Sequence, residues 1–252
     1  MIKLIGMLYG LVCYILGVAS LVLIILFANN HMGVLGMESL TSLNISEPNG
    51  PPLGNPVLIN IGLLLLFSIQ HTVMARPGFK AVLTKVLPES WERSTYVLAT
   101  AIVILALVQY WQPMNASIWS VQNETARIAI NIVFYLGWVV TLLATYMINH
   151  FHLFGLQQSF KPGDPDSGSK EFRTPMFYQF VRHPIQTGVV IGMIAAPDMT
   201  TGRALLAVGM FIYIAVGLYY EERDLIAEFG DTYRDYKKRV PGVIPFLKRS
   251  SD

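Results

Sequence analysis

Residues 179–188 read QFVRHPIQTG, which sets Arg182 and His183 directly before Pro184 and an apolar stretch after it. Proline suits the first turn of a helix, where its missing N–H is not needed, so a helix is expected to start at Pro184. The free backbone N–H groups of that start, with Arg182 and His183 beside them, favour an anion such as a carboxylate. Further on, the string YYEERD carries Glu221 and Glu222. Two apolar runs, 184–197 and 204–220, lie between these groups and are separated by DMTTGR. If the runs form a helical hairpin, the start of the first arm lies beside the end of the second. Arg182 and His183 then come within reach of Glu221 and Glu222. Such a cluster has two readings: a salt-bridged structural clamp, or a site for a zwitterionic or cationic ligand.

Other polar residues sit where lipid is expected. Gln70 and His71 fall inside an apolar run, and Asn149, His150 and His152 close another. Polar groups at such depth often line a cavity, and histidine is the side chain best suited to moving a proton near neutral pH. His183, His150, His71 and Asn149 are therefore the candidate catalytic residues. A purely structural role competes for His71, His150 and His152. The single cysteine, Cys13, excludes an intramolecular disulfide and a cysteine-built metal site. It reads as a small buried hydrophobe, and no metal is expected.

These residues need a scaffold, and composition says which kind. Of 252 residues, 53% are hydrophobic and 13% charged, which describes an integral membrane protein. A net charge of +2 gives no surface for nucleic acid. A helix needs roughly 20 apolar residues to cross a bilayer core of about 30 Å. Runs at 4–28, 57–74, 94–111 and 128–149 meet that need and 204–220 comes close, while 184–197 is short for an upright crossing. The expected fold is all-α: a polytopic membrane bundle of about six helices, the last two a hairpin, forming a single domain over 1–252. Sixteen of the eighteen lysines and arginines fall in the N-terminus, 75–93, 150–185 and 221–252. The positive-inside rule then puts both termini in the cytoplasm. Tyr110, Trp111 and Trp119 fit an interfacial aromatic belt, and 161–170 reads as a polar turn-rich loop. The stretch 221–248 reads by itself as a basic amphipathic tail on anionic lipid.

Taken in order, Arg182, His183, Pro184, Gly188, Glu221, Glu222, Phe229, Gly230, Tyr233, Tyr236, Val240, Pro241, Ile244 and Pro245 resemble the motif of the integral membrane methyltransferases. That superfamily includes isoprenylcysteine carboxyl methyltransferases and phospholipid N-methyltransferases. The resemblance implies an S-adenosylmethionine site at the cytoplasmic face, built from about 150–248 and enclosed by the C-terminal tail. Arg182, His183 and the helix start at Pro184 and Gly188 would take the cofactor's carboxylate. Glu221 and Glu222 would accept from its ammonium or ribose hydroxyls, and Tyr236 would close over the adenine.

The strings FSIQHTVMARPGFK, ERSTYVL, WQPM, INHFHLFGLQQ and FRTPMFYQFVRHP are similar to those of bacterial methanethiol S-methyltransferases, related to nurim-like proteins. The implied partners are a small thiol and membrane lipid, with no obligatory protein partner, and the implied location is a bacterial inner membrane. Prenylcysteine enzymes carry an arginine shortly before the paired glutamates, whereas residues 215–218 here read Ala-Val-Gly-Leu. A small neutral thiol needs no such cation. A methyltransferase for a prenylcysteine or lipid-like acceptor is the nearest alternative, and a non-catalytic nurim-like scaffold is the second.

Overall fold

The computed structural model describes residues 2–163 and 172–245. In chain order the elements are α1 (Ile2–Ala28), α2 (Pro56–Met74), α3 (Pro77–Leu83), α4 (Glu89–Tyr110) and strand β1 (Ser117–Ser120). There follow α5 (Glu124–Ile148), α6 (His150–Leu153), α7 (Leu156–Phe160), α8 (Pro184–Ile194), strand β2 (Asp198–Thr200), α9 (Thr201–Phe229) and α10 (Asp231–Arg239). Helices α1, α2, α4, α5 and α9 are long and apolar enough to cross a membrane. The protein is thus a polytopic membrane helical bundle. Helix α8 has 11 residues, so it is about 16 Å long and covers only half of a bilayer core.

Helix ends follow local chemistry rather than hydropathy. Asn55 and Asn123 cap α2 and α5, each side chain accepting from backbone N–H groups of the first turn. Helix α4 starts five residues before the expected apolar run because Glu89 and Glu92 suit a helix N-terminus. Helix α9 continues past the expected end at 220 through EERDLIAEF. Gly230, at φ 58°, then breaks the chain before α10. The paired strands β1 and β2 form a small antiparallel ribbon, flanked by Val121 N–H to Pro197 O and Thr201 N–H to Ala116 O, each 2.9 Å. Of the expected loop 161–170, residues 164–170 lie outside the described residues, as do 246–248 of the tail.

The chain divides into two compact units. Within its described residues, the first comprises 2–119, 151–163 and 199–209, where α1 packs on α4 and α7, and α2 packs on α4. Cys13 is buried in it, as expected of a small hydrophobe. Trp111 departs from the expected belt: it is buried edge-on against Phe27, with centroids 5.9 Å apart. Tyr110 and Trp119 are exposed. Asn60 is fully buried in α2, where its amide donates to Gln112 O (2.7 Å) and accepts from Gln112 N–H (2.8 Å). That pairing satisfies the chain just past the end of α4, where neither lipid nor helix supplies a partner. Asn60→Ala is expected to cost about 1–3 kcal/mol, read as a lower melting temperature in detergent.

The second unit comprises 120–150, 172–198 and 210–245 of the described residues. Its frame is α5 against α8. A Cβ on Gly188 would stand 2.3 Å from Gly137 O and 2.3 Å from Thr141 Oγ1, and one on Gly137 would stand 2.6 Å from Gly188 O. Only glycine permits this approach, the small-residue packing that apolar helices use in place of a hydrophobic drive. Thr141 donates across the contact to Ile185 O at 3.0 Å.

Candidate active site

The second unit gathers most of the motif residues. Pro184 is fully buried at the first position of α8, with His183 as the residue before it. Backbone bonds from Arg182 N–H to Pro241 O (2.9 Å) and His183 N–H to Gly242 O (3.1 Å) lay the tail after α10 along this segment. Thr187 extends the seam, its hydroxyl donating to Val243 O at 2.6 Å. Val240 and Pro241 thus end α10 and turn the tail onto the start of α8.

Glu222 on α9 is the hub. Its Oε1 accepts from Arg182 Nε (2.8 Å) and His183 Nε2 (3.0 Å) and lies 2.7 Å from Arg182 Nη2. Its Oε2 pairs with Lys237 Nζ of α10 at 2.6 Å. Arg182 is also bound to the tail, its Nη1 donating to the carbonyls of Lys237 (3.2 Å) and Val240. The side chains of Arg182, His183 and Glu222 are nearly buried, at 11%, 4% and 13% exposure, whereas Lys237 is 39% exposed and Glu221 46%. Glu221 Oε1 stands 3.8 Å from His183 Nδ1. The juxtaposition expected from a hairpin is therefore present, although the close partner of α8 is α5.

An aromatic cluster packs against α10. Phe172 packs against Phe229, Tyr233 and Tyr236 with centroids 5.3, 5.9 and 5.2 Å apart. Tyr236 is buried and donates its hydroxyl to Tyr178 O. Burial pushes the Tyr236 hydroxyl up to about 12 against the lowering effect of Arg182. Burial, then the Glu221 charge and Tyr236, also raise Tyr178. Both stay neutral donors over the working pH range.

Sequence reasoning left Lys237, Thr187, Tyr178 and Phe172 out of the site. Lys237 had a signal: it stands four residues after Tyr233, on one helix face with it. Gly188, expected among the cofactor-binding residues, lies in the contact of α8 with α5, beside Gly137 and Thr141.

The remaining candidates have partners of their own. His71 belongs to the first unit, where Tyr96 Oη lies 2.7 Å from its Nε2, Thr100 Oγ1 lies 3.1 Å from its Nδ1, and Phe67 stacks on the ring. His152 is in the same unit. His150 belongs to the second unit. It is buried, its Nδ1 lies 2.8 Å from Thr145 Oγ1, and its ring stacks on Tyr146 at 4.2 Å. Burial lowers its pKa below the ordinary histidine value. Asn149 is exposed just after α5, with its N–H bonded to Thr145 O at 3.2 Å.

The NnrU protein family matches residues 59–240. Methanethiol S-methyltransferase 2 of Bradyrhizobium diazoefficiens is 41% identical over 250 residues, covering 98% of this chain and 93% of the relative. A methanethiol S-methyltransferase of Mycobacterium tuberculosis is 40% identical over 237 residues, covering 93% and 96%. Nurim of Xenopus laevis is 28% identical over 168 residues, covering 63% and 58%. No solved structure matches the chain.

Proposed function

Because the chain belongs to the NnrU protein family, we propose that it is a membrane methyltransferase that converts methanethiol and S-adenosylmethionine to dimethyl sulfide and S-adenosylhomocysteine at the cytoplasmic membrane face. The observation that carries the site assignment is the convergence of Arg182, His183, Glu221, Glu222 and Lys237, from three separate segments, at the start of α8. The donor set fits the cofactor. It offers half-exposed Glu221 for an ammonium or for ribose hydroxyls, and the partly exposed Lys237 ammonium and the α8 start for a carboxylate.

When bound, S-adenosylmethionine supplies a methyl group on a sulfonium, and the departing sulfur keeps the bonding pair as a neutral thioether. The new bond joins the thiol sulfur to that methyl carbon, and the thiol proton leaves. The protein's work is to align the groups, exclude water and take the proton. Glu222 holds His183 through Nε2–H, which leaves Nδ1 as the ring nitrogen with acceptor capacity. Glu221 Oε1 lies 3.8 Å from that nitrogen. His183 is accordingly the proposed proton acceptor. Arg182 and Glu222 hold the tail against α8, and Tyr236 fixes the aromatic wall. His150, Asn149 and His71 have supporting roles in their own surroundings.

Membranes containing the protein, supplied with S-adenosylmethionine and methanethiol, should release dimethyl sulfide into the headspace. No release above membranes lacking the protein rejects the reading. The basic-residue distribution also puts both termini in the cytoplasm. Reporter fusions at Met1 and Asp252 are expected to match one in the 75–93 loop, and a C-terminal reporter active only outside refutes this topology.

A further inference from the structure

Helix α10 presents Tyr233, Tyr236 and Lys237 on one face, at the spacing that makes helical residues neighbours. Two of the three polar ends have partners within the protein: the Tyr236 hydroxyl donates to Tyr178 O, and the Lys237 ammonium sits 2.6 Å from Glu222 Oε2. Tyr233 differs. It is 2% exposed, with its ring edge-on to Phe172 and Tyr236 at 5.9 and 5.8 Å, and its hydroxyl has no hydrogen-bond partner among the described residues. Buried hydroxyls are as a rule hydrogen-bonded, so a buried hydroxyl without a partner needs a cause. Packing supplies none, because the ring alone makes the aromatic contacts. The hydroxyl also stands within the electrostatic reach of Glu222, Arg182 and Glu221, the groups assigned to the ligand.

We infer that the Tyr233 hydroxyl is a hydrogen-bonding contact for bound S-adenosylmethionine, left without a partner until the ligand arrives. The inference rests on the reading of this cluster as the cofactor site. It adds a binding residue on α10 that pairs with the ligand and, unlike Tyr236, takes no part in holding the tail.

The test uses full-length Tyr233→Phe and Tyr236→Phe proteins, purified in detergent. Calorimetry gives the affinity for S-adenosylmethionine, and a thermal melt without ligand gives stability. Tyr233→Phe is expected to bind roughly tenfold more weakly. Its melting temperature without ligand should equal or exceed that of the wild type, because the change removes a buried polar group that had no partner. Tyr236→Phe breaks a bond already present and should melt lower. Equal affinity in Tyr233→Phe overturns the inference. A lower melting temperature for Tyr233→Phe without ligand also overturns it, since a partner was then present all along. If the wild type itself does not bind S-adenosylmethionine, the cofactor reading falls and takes this contact with it.

Discussion

Glu222→Ala is expected to destabilise the protein by about 3–5 kcal/mol and to remove measurable affinity for S-adenosylmethionine. One carboxylate compensates two nearly buried cationic or proton-donating groups, Arg182 and His183, and also receives Lys237. Removing one partner of a buried ion pair leaves the other charge unpaired in a poor solvent, and that residual burial is the source of the cost. The loss is expected to spread to the tail, because Arg182 also carries the carbonyls of Lys237 and Val240 and loses its orientation when Glu222 goes. Limited proteolysis should therefore cut after α10 in Glu222→Ala sooner than in the wild type.

Two companion variants sharpen the reading. Glu222→Gln keeps the shape and can still accept from Arg182 and His183, but its amide nitrogen cannot receive the Lys237 ammonium. It should fold and bind the cofactor at least about tenfold more weakly. Lys237→Met removes a pair that is 39% exposed on the lysine side, so water screens the loss and stability should change by about 1 kcal/mol or less. A melting temperature for Glu222→Ala equal to that of wild type shows that the cluster does not hold the tail.

The core of this cluster was legible in the sequence because it depends on chain reversal alone. A proline-started helix, a turn and a returning helix with two glutamates past its apolar run bring these groups to one side of the membrane, although α9 runs on to Phe229 and α8 packs on α5. Lys237 was not legible in that way. Its approach to Glu222 depends on Gly230 turning α10 away from α9 and on the tail bonding to Arg182 and His183, both tertiary facts. The long crossings were readable from apolar length, but their ends were not. Hydropathy falls at Glu221, yet the residues that follow continue the helix to Phe229. The ribbon of SIWS with DMT is too short for any periodicity to mark. His71 and His150 illustrate a further limit. From sequence, each reads either as catalytic or as structural, and only the structure adds the hydroxyl that meets each ring and the aromatic ring stacked on it.

Methanethiol is expected to be methylated faster than 3-mercaptopropionate, and faster than a prenylated cysteine, at equal concentration in one membrane preparation. The argument starts from Ala215, Val216, Gly217 and Leu218, where the prenylcysteine pattern places an arginine before its paired glutamates. Val216 is 48% exposed on a helix long and apolar enough to span a membrane, and a Cβ on Gly217 would meet nothing within 4 Å. This turn of α9 is apolar and carries no cation. Nor does the nearby guanidinium replace it, because Arg182 already pairs with Glu222 and two tail carbonyls. A thiol that carries a carboxylate must then place that charge beside Glu221 and Glu222 while Lys237 and the α8 start serve the cofactor's own carboxylate, at a cost of several kcal/mol. A cost of about 3 kcal/mol corresponds to discrimination of more than a hundredfold. Short uncharged thiols such as ethanethiol should lose little by comparison, about one methylene's worth of fit. Product release for the three acceptors, measured in parallel with labelled S-adenosylmethionine, decides the matter. Faster methylation of the prenylated carboxylate sinks the small-thiol reading and requires a cation from elsewhere in the chain, with Arg173 or an Arg182 freed from Glu222 as the residues to replace first.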